Sequence, residues 1–320
     1  MKALSAAILG VTLAGAVAYA GDQKKDDPNQ IGNRKVATCL NFYSLEKEIA
    51  LGKRLSQEVE RQSKVSEDAL LREYVNRVGQ NLVRNSDAKV PFTFEVIEGE
   101  EPNAFALPGG YVFVYTGLLK LASEEDEFAG ALAHEIAHVA ARHMTCQATK
   151  GQLAQILSLP ASVLLGGWAG VAARQGMSAG APMAFLKFSR ADETEADYLG
   201  LQYMYAAGYD PNGVVSILEK IESLKRTKPG AVARLLSTHP QDADRIDRTQ
   251  KEIQRILPSK PEYVVTTSEY WELRERLIAS ENRRKPEDGG PRLRVSPGAG
   301  RPDQKDDDAR PTIRRRDLVD

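Results

Sequence analysis

The stretch Glu125-Asp126-Glu127-Phe128-Ala129-Gly130-Ala131-Leu132-Ala133-His134-Glu135-Ile136-Ala137-His138-Val139-Ala140 governs the reading of the whole chain. Phe128, Leu132, Ile136 and Val139 recur at three- and four-residue spacing, which predicts a helix. Ser123-Glu124-Glu125-Asp126 has the form of a capping box and opens that helix, which is expected to run to about His143. Residues four apart on a helix lie on one face, one turn above each other, so the imidazoles of His134 and His138 can reach a single ion. Glu135 is displaced by about 100° around the axis and stands beside that ion, where it can take a proton from a water molecule. Imidazole ligation of this kind suits zinc. The chain holds only four histidines, so His-Glu-x-x-His is a pattern that chance rarely supplies.

A catalytic zinc needs a third protein ligand and an open place for water. Downstream, Ser189-Arg190-Ala191-Asp192-Glu193-Thr194-Glu195-Ala196-Asp197 offers a cluster of carboxylates. Among them Glu193 has a second acid, Asp197, four residues on and so on the same helical face. One carboxylate of that pair can then bind the metal while the other holds a ligand imidazole by its second nitrogen. Glu195 lies about 200° from Glu193 on a helical projection and reads as a solvated charge. His143 lies about 180° from His134 on the same kind of projection and reads as structural.

Working outward, Ile49, Leu55 and Val59 mark one amphipathic helix. Leu71, Tyr74, Val75, Val78 and Leu82 mark a second, after the capping candidate Ser66. Phe92, Phe94 and Val96 alternate with polar residues, and Tyr111 to Tyr115 is rich in β-formers beyond the turn Pro108-Gly109-Gly110, which suggests a small hairpin. Asp210-Pro211 opens a helix carrying Val214, Ile217, Leu218, Ile221 and Leu224, and a last core helix follows His239-Pro240. The fold expected is a single α+β domain, mainly helical with a small antiparallel sheet, over residues 41–257. An extension follows at 258–284, and a charged, disordered tail at 285–320.

Met1-Lys2, the apolar run Ala3 to Ala20 and its small-residue end Ala18-Tyr19-Ala20 read as a signal peptide over residues 1–20, with a flexible leader at 21–40. Secretion puts Cys39 and Cys146 in an oxidising compartment, where they form one bridge or remain two buried thiols. Gly151 to Ala173 carries no charge, yet Pro160, Gly166 and Gly167 make it a poor membrane span and favour a buried or interfacial helical hairpin. A formal net charge of -1 gives no reason to bind nucleic acid and leaves polypeptides as partners.

The motif pair, His134-Glu135-Ile136-Ala137-His138 and Ser189 to Asp197, resembles the zinc peptidase family that contains the CAAX prenyl endopeptidases and the heat-shock membrane proteases. It is most similar to the soluble periplasmic members. The resemblance covers about Phe42 to Leu257 and implies a zincin-like (gluzincin) fold with one Zn2+ held by His134, His138 and Glu193. It leaves Asp197 either supporting a ligand or donating a proton. It also implies that Asn103, Ala104 and Phe105, in Asn103-Ala104-Phe105-Ala106-Leu107-Pro108-Gly109-Gly110, belong to an edge strand that takes a peptide substrate by strand addition. His239-Pro240 and Arg245 resemble the element that steadies the oxyanion during attack. His239 is then either catalyst or a resting latch in the open zinc position. The several membrane spans of embedded relatives are not expected here, nor is the helical-repeat domain of a soluble relative.

The activity implied is a periplasmic zinc metalloendopeptidase acting on unfolded or misfolded exported proteins. The alternative is a chaperone-like binder with a latched site. A peripheral membrane or outer-membrane assembly contact and the oligomeric state stay open.

Overall fold

A computed structural model describes residues 25–158, 187–240 and 244–284. The expected signal peptide, the part of the uncharged segment after Ser158 and the tail from 285 lie outside the described residues. Met1–Ser280 forms one compact unit and Glu281–Asp320 a second, of which only the end of the last helix is described.

Ser44 caps the first helix, α1 (Leu45–Gln62), by accepting from the Lys47 N–H. Asp68, not the expected Ser66, caps α2 (Ala69–Arg84) through the Leu71 N–H. The strands β1 (Thr93–Ile97), β2 (Ala104–Leu107) and β3 (Tyr111–Tyr115) form a sheet of order β1-β3-β2. The sheet is mixed and not purely antiparallel. β1 runs parallel to β3, and the hairpin joins β2 to β3. Gly110, at φ 93°, closes that hairpin, and a Cβ there would sit 2.1 Å from the Pro91 carbonyl oxygen. Alternation marked β1, β-forming residues marked β3 and the resemblance marked β2 as an edge strand, but none of these told that β1 runs parallel to β3 on the side away from β2.

α3 (Thr116–Leu121) leads into α4 (Glu125–Ala140), the helix of the histidine motif. The capping box is formed by Glu124 and Glu127, one residue later than expected. α4 is buried on nearly every side, and its Ala129, Gly130, Ala133 and Ala137 leave room for neighbouring helices. It ends before His143. Arg142 takes φ 60°, and a new helix, α5 (His143–Ser158), starts after it. Arg142 is held in that conformation by Glu48, 2.8 Å from its Nε, and by the Tyr43 carbonyl.

α6 (Arg190–Ala207) lies against α4, and Gly200 allows the approach: a Cβ there would stand 3.3 Å from the Ala133 carbonyl carbon and the His134 nitrogen. α7 (Asn212–Thr227), α8 (Ala233–Thr238) and α9 (Arg245–Ile256) complete the surround. The core does not end at Leu257. α10 (Ser268–Arg284) buries Tyr270 and Leu273, and the Tyr270 ring joins Tyr74 and Phe128. The leader is also fixed from residue 25 onward. Buried Arg34 pairs with Asp87 at 2.9 Å and donates to Gln202, and Cys39 is bridged to Cys146.

Candidate metal centre

Four side chains converge at the junction of α4, α6 and the end of α8: His134, His138, Glu193 and His239. His134 Nε2 lies 3.0 Å from His138 Nε2 and 3.3 Å from His239 Nδ1. Glu193 Oε1 lies 3.4 Å from His138 Nε2 and 2.9 Å from His239 Nδ1. Four ligand atoms at about 2.05 Å from a tetrahedral ion sit roughly 3.3 Å apart, so these spacings match the edges of such a tetrahedron. Lone pairs brought this close need a proton or a metal ion between them, and the nitrogen and carboxylate donors suit zinc.

The capping box of α6, in which Ser189 and Asp192 exchange bonds at 3.2 and 2.9 Å, sets the phase of the acidic helix. It turns Glu193 toward the imidazoles and Asp197, one turn on, toward the other face of His134. Asp197 Oδ1 is 3.0 Å from His134 Nδ1, and Arg245 grips Asp197 with two bonds of 2.8 and 2.7 Å. Arg245 Nη1 also reaches Glu193 Oε2 at 3.1 Å. The arginine expected to steady an oxyanion thus has its guanidinium engaged by the two site carboxylates.

Burial alone would lower the His134 imidazole, but Glu193 and Asp197 overcome it and push it up to about 10. Burial works against ionised Asp197 as well, yet Arg245 and His134 hold its carboxyl at about 2. Glu193, despite burial, is held well below the usual carboxylate range by His239 and His134. Burial lowers His138 far below its ordinary value, which leaves a neutral imidazole, and raises the Glu135 carboxyl. Without a metal the cavity attracts a proton, as a cation site should.

Glu135 Oε2 accepts from the Ala106 N–H at 2.9 Å, and its Oε1 stands 3.4 Å from His239 Nε2. β2 lies on the edge of the described sheet. The Tyr115 N–H donates to the Asn103 carbonyl, so Asn103 and Phe105 face β3, and by alternation Ala104 and Ala106 face the open edge. Of the three residues expected to hold substrate, only Ala104 offers its backbone outward. Beside it, Pro102, Leu118, Ala131, Ile217 and Leu235 line an apolar cleft that reaches His134 and Glu135.

Two residues set aside on helical projection lie in the site. His143 Nδ1 is 2.9 Å from His138 Nδ1, and His143 Nε2 is 3.2 Å from Glu195 Oε2. The projection failed because Arg142 interrupts the helix. Phe188 stacks on the His138 ring at 3.7 Å between centroids, and nothing in its local sequence signals that role.

The model of peptidase family M48 matches residues 69–253. The chain is 30% identical over 257 residues to the beta-barrel assembly-enhancing protease of Yersinia pestis, covering 76% of this chain and 52% of that protein. It is 30% identical over 267 residues to the protein of that name in Escherichia coli K12, covering 80% and 53%. A mitochondrial metalloendopeptidase of Schizosaccharomyces pombe is 35% identical over 179 residues, covering 56% and 52%. The chain thus spans about half the length of the curated relatives it matches. Among the described residues no helix is long and apolar enough to cross a membrane. With the family match spanning both halves of the metal cluster and a mainly helical zincin-like fold carrying it, the chain belongs to peptidase family M48, a metallopeptidase family.

Proposed function

We propose that this chain is a zinc-dependent metalloendopeptidase that hydrolyses peptide bonds of unfolded or misfolded exported proteins. The observation that carries the reading is the placement of Glu135 between a four-donor cluster and the open edge of β2. Zinc held by His134, His138 and Glu193 supplies the Lewis acid that polarises the scissile carbonyl and acidifies water.

An extended substrate adds to β2 through the outward backbone of Ala104, with Asn103 and Phe105 shaping the strand from within. One apolar substrate side chain enters the cleft lined by Ala131 and Ile217. Glu135, its carboxyl raised by burial, removes a proton from the attacking water and returns it to the leaving amine. Asp197 fixes the His134 ring, and Arg245 holds Asp197 and Glu193 in place. His239 occupies the fourth corner of the cluster and must withdraw to admit water, after which its imidazole can face the oxyanion.

The signal-peptide pattern of residues 1–20 supports a periplasmic location. The name of the bacterial relatives supports work near β-barrel assembly. The seated His239 also favours a second reading, a binder of unfolded chains whose site stays closed. Purified chain loaded with zinc should cleave a reduced, unfolded reporter protein, and Glu135→Gln should keep the metal while losing cleavage. A wild-type chain, or its His239→Ala variant, that holds zinc and suppresses aggregation but never cuts would establish the binder instead.

A further inference from the structure

His143 is a buried imidazole that the proposed chemistry does not use, and Glu195 a half-buried carboxylate assigned no task. Both lie on the side of His138 facing away from the ligand cluster. An ionised carboxylate only accepts hydrogen bonds, so Glu195 Oε2, 3.2 Å from His143 Nε2, requires a proton on that nitrogen. In its neutral form, with the single N–H on Nε2, His143 presents a lone pair at Nδ1. That lone pair faces His138 Nδ1 at 2.9 Å, and the bond forms only if His138 carries its proton there. His138 Nε2 is then a bare lone pair, and it points at His134 Nε2 and Glu193 Oε1, 3.0 and 3.4 Å away.

We propose that Glu195 and His143 are positioning residues that relay a fixed tautomer to His138, presenting its Nε2 to the metal before the metal arrives. The relay rests on the zinc reading above and adds to it a second line of residues. Three features of the fold assemble it. Arg142, held in its left-handed conformation by Glu48, starts α5 where the His143 side chain turns back toward α4. The bridge from Cys39 to Cys146 ties down the first turn of α5. Lys25, 3.7 Å from Glu195 Oε1, supports the ionised carboxylate from the N-terminal segment. His143 is 3% exposed, so no water takes over the acceptor's role readily. Phe188 stacked on His138 blocks one face of the ring, so the hydrogen bond at Nδ1 decides its rotation.

The test measures zinc affinity of the full chain by competition with a chromogenic chelator at pH 7.5. His143→Phe keeps the ring volume and removes the acceptor, and should weaken zinc binding about 10- to 100-fold, the range found when a group orienting a ligand is lost. His143→Gln, whose Oε1 can accept from His138, should recover most of that loss. Glu195→Ala, at a half-exposed position where folding is not at stake, should weaken binding by several-fold. Nitrogen NMR of the zinc-loaded wild type should find the protons on His138 Nδ1 and His143 Nε2.

A folded His143→Phe variant with wild-type affinity overturns the relay, as does a proton found on His143 Nδ1. If His143→Phe does not fold, unchanged affinity in Glu195→Ala overturns it equally. A wild-type chain that binds no zinc overturns both the relay and the proposed function. A wild type that binds zinc with unchanged variants overturns the relay alone.

Discussion

Replacing Arg245 by leucine should destabilise the metal-free chain far more than it perturbs any single contact. Arg245 makes two bonds to Asp197 and a third to Glu193, and it is 6% exposed. With Glu135 also buried, the cluster holds three carboxylates. A divalent cation together with the guanidinium balances them. Without metal, Arg245 and a proton on His134, whose pKa is pushed up to about 10, are left to offset that charge at neutral pH. Removing one partner of a buried ion pair costs about 3–5 kcal/mol, because the remaining charge loses both its partner and its water. At roughly 2–4 °C per kcal/mol for a domain of this size, thermal unfolding in the presence of a chelator should fall by about 6–20 °C. Zinc at 100-fold above its dissociation constant returns about 2.7 kcal/mol and should restore a large part of the loss. Thermal unfolding in chelator and in excess zinc, on wild type, Arg245→Leu and Arg245→Lys, reads both effects. If Arg245→Leu melts within about 2 °C of wild type in chelator, the carboxylate clamp is wrong. Slow turnover with unchanged melting would instead return Arg245 to the oxyanion.

Opening the fourth corner by His239→Ala should raise cleavage of an unfolded reporter by about tenfold or more, since a site that is only fractionally open works in proportion to that fraction. A loss of about 100-fold or more would make His239 an oxyanion donor and not a latch. Asp126 is lifted by burial to about 6, so its charged form weakens the folded state: stability is unaffected below the unfolded value and declines as pH rises toward 6. Asp126→Asn should therefore stabilise at pH 7.5 by on the order of 1 kcal/mol, discounted for a half-exposed side chain at a helix start, and should do little at pH 4 in a thermal-unfolding comparison. Replacing both Cys39 and Cys146 by serine frees a loop of 107 residues and should cost about 2–5 kcal/mol in denaturant unfolding. Unchanged stability would mean that the N-terminal segment is held by Arg34 and Asp87 without the bridge.

Local spacing sufficed where one helix turn carried the information. His134, Glu135 and His138 follow from a four-residue period, and Glu193 with Asp197 from a second one. The structure brings Glu193 to the ligand cluster and Asp197 to the Nδ1 side of His134. The mixed sheet was hidden because alternation identifies strands without naming their neighbours. The packing of α10 was hidden because Tyr270, Leu273 and Leu277 form a sparse stripe in a charged sequence, and the stripe does not say that Tyr74 and Phe128 receive Tyr270. The leader concealed its anchors in the same way, since Arg34 finds Asp87 only across 53 positions.

The placement of His143 beside His138 was hidden for a more specific reason. A helical projection is valid only while the helix continues, and the break falls at Arg142, a residue that carries no local preference for positive φ. Glycine or asparagine there would have announced the turn. The strain of a left-handed arginine persists because Glu48 and the Tyr43 carbonyl, about a hundred residues earlier, hold its side chain. That remote pair therefore reaches the metal cluster: it sets where α5 begins, α5 delivers His143, and His143 meets His138. Glu195 follows from the same logic. A carboxylate about 200° from Glu193 faces solvent only if nothing is packed there, and the start of α5 is what lies in that direction. The second line of residues around the ligands depends on where two helices begin relative to one another, and a reading of either helix by itself does not contain it.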